Sequence, residues 1–331
     1  MLVNDPGAAP QRDEKPIRLR RMRSFFVGGG LRRVAGQPVQ SFRLTQGGAP
    51  RAIDVNGDHI TGQMYVQEYL LEEPRHPWPI LLWHGGGMSG VNWETTPDGR
   101  PGWLNYFLHA GFDVYVSDAM ERGRSSWSPT YPLPPIFRTL KDGWDIFRMG
   151  PVEGYATDPA SRKPFPGQQF PMEAYDTFAT QWVPRWAEHE AETSAAYDAL
   201  LEAVGRCVVI GHSQGGGFAF EAIRRRPRDV AAVVLLEPSG APQKTEGMDA
   251  GLPPHLVVWG DFFAEHAGWR ANRAVVDRYG QALREHGVEV DQLDLPAMGI
   301  HGNSHFPMMD RNAGDIAALV ERWIVQHARR P

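Results

Sequence analysis

The stretch Cys207-Val208-Val209-Ile210-Gly211-His212-Ser213-Gln214-Gly215 decides the fold of this chain. Its first four residues are apolar, which is the pattern of a buried strand. The motif G-x-S-x-G follows at once, and glycines on both sides of the serine permit a turn that is too tight for β-carbons. Residues 215–223 then have the pattern of a helix. The sequence therefore predicts a strand–turn–helix unit that raises the Ser213 hydroxyl above the edge of a sheet, where it can act as a nucleophile.

Strand-like and helix-like segments alternate along most of the chain. Further strands are predicted at 40–44, 63–71, 79–83, 112–118, 230–236, 255–259 and 288–295, and helices at 103–110, 188–204, 267–286 and 314–328. This alternation predicts an α/β protein with a mostly parallel, doubly wound sheet. Such sheets bind their ligands at the carboxyl ends of the strands, and Ser213 directly follows such an end.

The chain has 331 residues, which is enough for one large α/β domain. We predict a poorly ordered or peripheral N-terminal arm over residues 1–35 and a single domain over 36–331. Residues 126–186 interrupt the alternation and are rich in proline and aromatic side chains. An insertion of this length is typical of a functional cap or lid, and the alternative is a structural excursion that packs on the body of the domain.

Composition and charge exclude several classes of protein. A net charge of −5 gives no reason to expect a nucleic-acid partner. Cys207 is the only cysteine, so an intrachain disulfide, a cysteine-based zinc cluster and a redox pair are impossible. No apolar run approaches the roughly 18 residues of a membrane-spanning helix. The N-terminal segment lacks the apolar core of a signal peptide, which favours a cytoplasmic location and leaves a mature secreted or periplasmic form open.

A serine nucleophile needs a histidine base, and in strand–turn–helix sites of this kind the acid and then the histidine follow the serine along the chain. The loop at 300–307 contains two histidines, His301 and His305, and lies between the last predicted strand and the final helix. His305 follows the turn-forming residues 302–304. We predict that His305 is the base and that His301, nearer the strand end, is structural.

The acid that orients the histidine has two candidates. Asp261 follows Gly260 after the strand at 255–259, although phenylalanine occupies the third position after that glycine, where an acid is common. Glu237 ends the strand at 230–236, and a carboxylate at the end of a buried strand is costly unless it is paired. A histidine partner would satisfy it, as would backbone amides. We favour Glu237, which would fix the tautomer of His305 and stabilise its charged form.

An oxyanion hole is predicted from two backbone amides. The first belongs to Gln214, the residue after the nucleophile. The second belongs to the glycine turn at 84–88 after the strand at 79–83, where glycine lets the backbone approach a substrate oxygen. Either Gly86 or Gly87 can provide this second amide.

Six short segments together resemble a known family. They are the turn His84-Gly85-Gly86-Gly87, the segment Thr96-Pro97-Asp98-Gly99-Arg100-Pro101-Gly102-Trp103, Arg122-Gly123-Arg124-Ser125, Gly211-His212-Ser213-Gln214-Gly215-Gly216, Leu235-Leu236-Glu237-Pro238-Ser239-Gly240 and Gly302-Asn303-Ser304-His305-Phe306-Pro307. In these segments the chain is similar to the atypical bacterial esterases of the α/β-hydrolase superfamily, from about residue 40 to the end.

The resemblance implies an α/β-hydrolase fold and a triad of Ser213, Glu237 and His305, because members place their glutamate after the strand that follows the elbow helix. It also suggests a homodimer. Some relatives have cysteines in the oxyanion turn, whereas this chain has Gly86 and Gly87, so a disulfide-stiffened hole is not expected here.

These features predict a serine carboxylic ester hydrolase that needs no cofactor or metal. The aromatic insertion suggests a pocket for small to medium, bulky or aromatic apolar esters. A lactonase or an amidase with the same triad is the first alternative. A ligand receptor with the hydrolase fold is an alternative from a different class.

Overall fold

The computed structural model describes residues 16–128, 135–185, 188–243 and 248–328. Its strands are β1 (Leu19–Val34), β2 (Gln40–Phe42), β3 (Arg51–Ile53), β4 (Gly57–Leu71), β5 (Ile80–Trp83), β6 (Val114–Asp118), β7 (Cys207–His212), β8 (Val230–Leu236), β9 (His255–Trp259) and β10 (Val290–Asp294). Its α-helices are α1 (Val91–Glu94), α2 (Trp103–His109), α3 (Leu140–Ile146), α4 (Tyr175–Ala179), α5 (Glu190–Val204), α6 (Gln214–Arg225), α7 (Ala267–Glu285) and α8 (Ala313–His327).

Eight of these strands form one sheet in the order β1-β4-β6-β5-β7-β8-β9-β10. The pairs β1–β4 and β4–β6 are antiparallel, and every pair from β6 to β10 is parallel. Strands β2 and β3 form a separate antiparallel pair. The mostly parallel sheet and its α/β class confirm the predicted fold.

The central strands are covered on both faces, as their continuous apolar sequences require. All residues of β5, β7 and β8 are buried. Alternate residues of each strand enter two separate cores: one contains the buried residues of α2 and α8, and the other those of α5, α6 and α7. Helices on both faces leave the carboxyl ends of the strands as the open edge. None of the helices in the described ranges is long and apolar enough to cross a bilayer.

The N-terminal segment differs from the expected arm. Strand β1 pairs with β4 along almost its whole length and forms an edge of the sheet. Arg21 and Arg23 donate to the Glu68 carboxylate on β4 at 2.7 and 2.8 Å, and the Glu68 side chain is only 1% exposed. The basic residues therefore neutralise a buried carboxylate. Residues 19–34 are an ordered strand because they pair with β4 and form these two ion pairs. Residues 1–15 of the predicted arm lie outside the described ranges.

The insertion at 126–186 packs on the body of the domain near the open edge of the sheet. Helices α3 and α4 belong to it, and its aromatic residues Trp144, Phe170, Tyr175 and Phe178 are fully buried. These rings pack mainly against one another, with ring centroids of Trp144 and Tyr175 5.6 Å apart. The buried aromatic rings therefore extend the hydrophobic core on one face of the sheet, which also contains residues of α2 and α8. Residues 129–134 and 186 of the insertion lie outside the described ranges.

Candidate active site

Ser213 lies in the sharp turn between β7 and α6. Its φ is +51°, in the left-handed region that residues other than glycine rarely adopt. A β-carbon on Gly215 would lie 2.6 Å from the carbonyl oxygen of His84, so only glycine permits the close approach of α6 to the end of β5. The serine is 9% exposed and lines a cavity of about 540 Å³. The predicted strand–turn–helix unit is therefore present, with its serine on a cavity.

His305 lines the same cavity, in the loop between β10 and α8. Its Nδ1 lies 3.3 Å from Oε2 of Glu237, the residue directly after β8. Both side chains are buried, with exposed fractions of 1% and 0%. Phe147 and Trp269 pack against the imidazole, with ring centroids 5.8 and 4.2 Å away. The fold thus places Ser213 and His305 on one cavity and Glu237 behind the histidine.

Arg148, which the sequence analysis did not identify, binds the other oxygen of Glu237. Its Nη2 donates to Oε1 at 2.8 Å, and the Gly260 amide donates to the same oxygen at 2.5 Å. Burial raises the pKa of Glu237, and the Arg148 charge and the Gly260 amide oppose this increase. Burial, with the Arg148 charge, lowers the pKa of His305 well below its usual range. The imidazole is therefore neutral at neutral pH and able to accept a proton.

The other acid and the other histidine lie beside each other. Asp261 Oδ2 accepts from the Gly302 amide at 2.9 Å and lies 3.6 Å from Nδ1 of His301. Its Oδ1 accepts from the Phe262 amide at 2.7 Å. The His301 side chain is 69% exposed. The described contacts of Asp261 therefore shape a turn and reach a solvated histidine, whereas Glu237 contacts the histidine on the cavity.

The two predicted oxyanion glycines have different surroundings. Gly86 borders the cavity next to Gln214, and a β-carbon on Gly86 would lie 2.9 Å from Oε1 of Gln214. Gly87 has a φ of +75°, and its carbonyl accepts from the Val183 amide of the insertion at 2.9 Å. Gly86 and Gln214 are thus the two predicted oxyanion residues that border the space in front of Ser213.

Comparison with known proteins places this arrangement in a family. The α/β hydrolase fold family matches residues 79–288, which include Ser213 and Glu237. The chain belongs to the α/β-hydrolase fold family.

Two relatives agree with this assignment. The α/β-hydrolase is 32% identical to a novel bacterial esterase of known atomic-resolution structure, with a TM-score of 0.82 over 97% of this chain and 100% of that one. It is 29% identical over 362 residues to a probable secreted lipase, phiG, of Fungal sp. (strain ATCC 74256), which covers 88% of this chain and 91% of the relative. The predicted similarity to bacterial esterases is confirmed.

A second buried carboxylate holds the His305 loop of this α/β-hydrolase. Asp310 accepts from the amide and hydroxyl of Ser304 at 2.9 and 2.7 Å and from Nδ2 of Asn303 at 2.9 Å. Burial raises its pKa to about 7, against the effect of these three donors. Arg100, from the segment after α1, donates to two carbonyls of the same loop at 2.9 and 3.0 Å. The position of His305 in the α/β-hydrolase is thus fixed from several sides.

Sequence reasoning missed Arg148 and Asp310 for different reasons. Arg148 lies in the insertion, where no periodicity indicates which side chains turn inward. Asp310 follows the apolar residues 306–309, and a carboxylate in such a run is a signal of a buried, hydrogen-bonded group. That signal could have indicated Asp310, whereas the contact of Arg148 with Glu237 depends on tertiary packing alone.

Proposed function

We propose that this α/β-hydrolase is a carboxylic ester hydrolase that works through a serine acyl-enzyme. Its similarity to a bacterial esterase and to a probable secreted lipase supports the esterase or lipase type of activity. One observation carries the serine mechanism: Ser213 and His305 line one cavity, and Glu237 contacts the far side of His305. This is the arrangement that a nucleophile, a base and an orienting acid require.

In the first half of the reaction, Ser213 Oγ attacks the ester carbonyl and His305 takes the serine proton. The low pKa of His305 keeps the imidazole neutral before attack. Glu237 holds the ring in the tautomer with the proton on Nδ1, and its charge stabilises the imidazolium that forms. Arg148 keeps the Glu237 carboxylate in place from the opposite side. The proton then passes to the leaving alcohol, and the acyl group stays on Ser213.

In the second half, water attacks the acyl-enzyme with His305 again as the base, and the acid is released. The carbonyl oxygen carries negative charge in both tetrahedral intermediates. The amides of Gln214 and Gly86 are the proposed donors to that oxygen, and Gly86 is preferred to Gly87 because it borders the cavity. Donors that are already in place cost no reorganisation when the charge develops. The proposed nucleophile, base, orienting acid and oxyanion donors of both halves are all residues of this chain.

We propose small to medium esters with a bulky or aromatic part as substrates. Four large apolar side chains line the cavity and support this proposal: Ile146, Phe147, Phe218 and Trp269. Only two of them, Ile146 and Phe147, belong to the insertion, because most of its buried aromatic rings pack in the hydrophobic core that the insertion shares with one face of the sheet. Polar and charged groups form much of the remaining wall, so the apolar part of a substrate has a limited area to contact.

The decisive test is the variant Ser213→Ala, assayed with p-nitrophenyl esters, lactones and amides in parallel. We expect at least about a 10⁴-fold loss of kcat, because the nucleophile of a triad acts as part of one unit. Ser194→Ala removes another hydroxyl from the same cavity wall and should keep ester turnover. Retained turnover in Ser213→Ala would falsify the serine mechanism. Faster turnover of lactones or amides would favour those alternatives, and binding without turnover would favour a receptor.

We also propose a homodimer, as the family resemblance suggests. Exposed apolar side chains on the edge hairpin of β1 and β4 support it, with Met22, Phe26, Leu31 and Ile60 all more than half exposed. Apolar residues on a free sheet edge are a common site of association. Light scattering on the purified chain tests this proposal, and a monomer mass across the working concentration range would contradict it.

A further inference from the structure

The cavity in front of Ser213 has charged groups on its wall as well as apolar ones. Two arginines of the insertion, Arg138 and Arg185, line it together with two acidic residues, Glu190 and Glu221. A substrate that enters this cavity must therefore contact groups with full charges. Which of these charges already has a partner decides what kind of substrate the wall can bind.

Three of the four charges are neutralised or face solvent. Arg138 donates to Asp142 at 2.5 Å and also lies over the ring of Phe147. Glu221 pairs with Arg224 at 3.5 Å on the surface of α6. Glu190 is exposed at the start of α5. None of these three groups needs a ligand to satisfy it.

Arg185 is the exception. Within the described ranges, its guanidinium has no carboxylate within salt-bridge distance, and its buried Nε has no hydrogen-bond partner. Burial, with the neighbouring Arg138 charge, lowers the pKa of Arg185, and the Glu190 charge opposes this decrease only in part. The guanidinium has thus lost more contact with water than the Glu190 carboxylate, which forms no ion pair with it, makes up for. Such a group gains most from a ligand that brings a negative charge.

The backbone holds Arg185 at the reaction centre. Its amide and carbonyl pair with those of Ile136 at 3.1 and 2.7 Å. Its Nη1 lies 2.9 Å from the position that a β-carbon on Gly86 would occupy, and Oε1 of Gln214 lies at the same distance from that position. The guanidinium is therefore next to the proposed oxyanion turn.

We propose that Arg185 binds a carboxylate of the substrate, so that the enzyme prefers esters that carry a second, ionised acid group. This inference rests on the proposed ester hydrolysis and adds the substrate class to it. An arginine fork matches a carboxylate through two parallel hydrogen bonds. The apolar side chains Ile146, Phe147 and Trp269 line the same cavity and contact the hydrocarbon part of the substrate, while Arg185 binds its charged end.

The test compares kcat/KM for matched pairs of esters at neutral pH. The acyl-side pair is mono-p-nitrophenyl glutarate and its terminal carboxamide. The alcohol-side pair is 4-carboxyphenyl butyrate and 4-carbamoylphenyl butyrate. We expect the wild type to prefer the carboxylate in one pair by about tenfold or more, as charge-assisted hydrogen bonds to a partly buried arginine provide. The pair that shows the preference identifies which side of the scissile bond faces Arg185.

Arg185→Gln should bring this preference close to one, and Arg185→Lys, which keeps the charge and loses the fork, should give an intermediate value. Lys141→Gln removes one positive charge from an exposed position in α3 and should keep the wild-type preference. Raising the salt concentration on the wild type should reduce the preference, which tests the proposal without any variant.

Two results would overturn the inference while ester hydrolysis stands. One is a wild type that hydrolyses carboxylate and carboxamide esters equally well. The other is an equal loss for both members of a pair in Arg185→Gln, which would assign Arg185 to the oxyanion or to the structure of the turn. Absence of hydrolysis of all four esters, together with simple p-nitrophenyl esters, would instead overturn the proposed function and the inference with it.

Discussion

Two carboxylates follow neighbouring strands, and only one of them contacts the histidine of the cavity. Glu237 comes directly after β8, has a φ of +49° and turns its side chain toward His305. Asp261 comes two residues after β9 and accepts from the amides of Phe262 and Gly302. The position of each carboxylate relative to its strand end therefore decides its partner. The backbone conformation of one residue separates a candidate acid from a turn-forming residue.

Exchange of each carboxylate for its amide tests this assignment. Glu237→Gln should lower kcat roughly 10³- to 10⁴-fold, because an amide no longer stabilises the imidazolium or fixes its tautomer. Asp261→Asn can still accept from the Gly302 amide and should change kcat by less than about tenfold. Melting temperatures of both variants show whether each chain remains folded. A large loss in Asp261→Asn with activity retained in Glu237→Gln would reverse the assignment.

At the scale of elements, the unit of β7, its turn and α6 depends on how closely α6 approaches β5. A β-carbon on Gly215 would meet two backbone oxygens, those of His84 and Trp83, at 2.6 and 2.7 Å. Backbone cannot move aside as a flexible side chain can. Two residues further along the helix, Gly217 has only the Gly240 oxygen within 4 Å of such a β-carbon, at 3.9 Å. The two glycines therefore have different roles in one helix.

Alanine at these two positions should have opposite effects on the free energy of unfolding. Gly215→Ala should destabilise the protein by about 1–3 kcal/mol, because the methyl group forces β5 and α6 apart. Gly217→Ala should be neutral or stabilising by up to about 1 kcal/mol, because alanine favours a helix over glycine. Denaturant unfolding of both variants measures this difference. Equal effects at the two positions would show that the approach to β5 is not the constraint.

At the scale of the whole molecule, the site is assembled from four separate parts of the chain. The elbow provides Ser213, the end of β8 provides Glu237, the loop before α8 provides His305, and the insertion provides Arg148 behind Glu237. The insertion therefore belongs to the site and is more than a cover over it. Buried ionisable groups form contacts between these parts, and a buried group whose pKa differs between the folded and unfolded states makes the stability of the fold depend on pH.

Asp310 should produce one such dependence. Its pKa is raised to about 7 in the folded protein, against about 3.9 in an unfolded chain. The folded state thus keeps a proton that the unfolded state releases between these values. This contribution to stability is complete below about pH 4 and is lost as the pH rises through about 7, with a slope of at most about 1.4 kcal/mol per pH unit.

Asp310→Asn should remove this slope, so the difference in unfolding free energy between variant and wild type should change in favour of the variant from pH 5 to pH 8. Denaturant unfolding at several pH values measures it. Asp58→Asn removes an exposed carboxylate and should follow the wild type. Parallel curves for Asp310→Asn and the wild type would show that Asp310 does not hold a proton in this range.

The sequence by itself determined the α/β sheet, the serine turn, two candidate acids and two candidate histidines. These features depend on local patterns of apolar residues and on glycine at tight turns. It could not show that β1 is a strand, since an edge strand buries too few side chains to display an apolar pattern and its arginines neutralise Glu68 on β4. Only the tertiary structure placed Glu237 against His305 and Asp261 against His301. It alone also brought Arg148 to Glu237 and Arg185 to the cavity, because contacts between distant segments depend on how the insertion packs on the sheet.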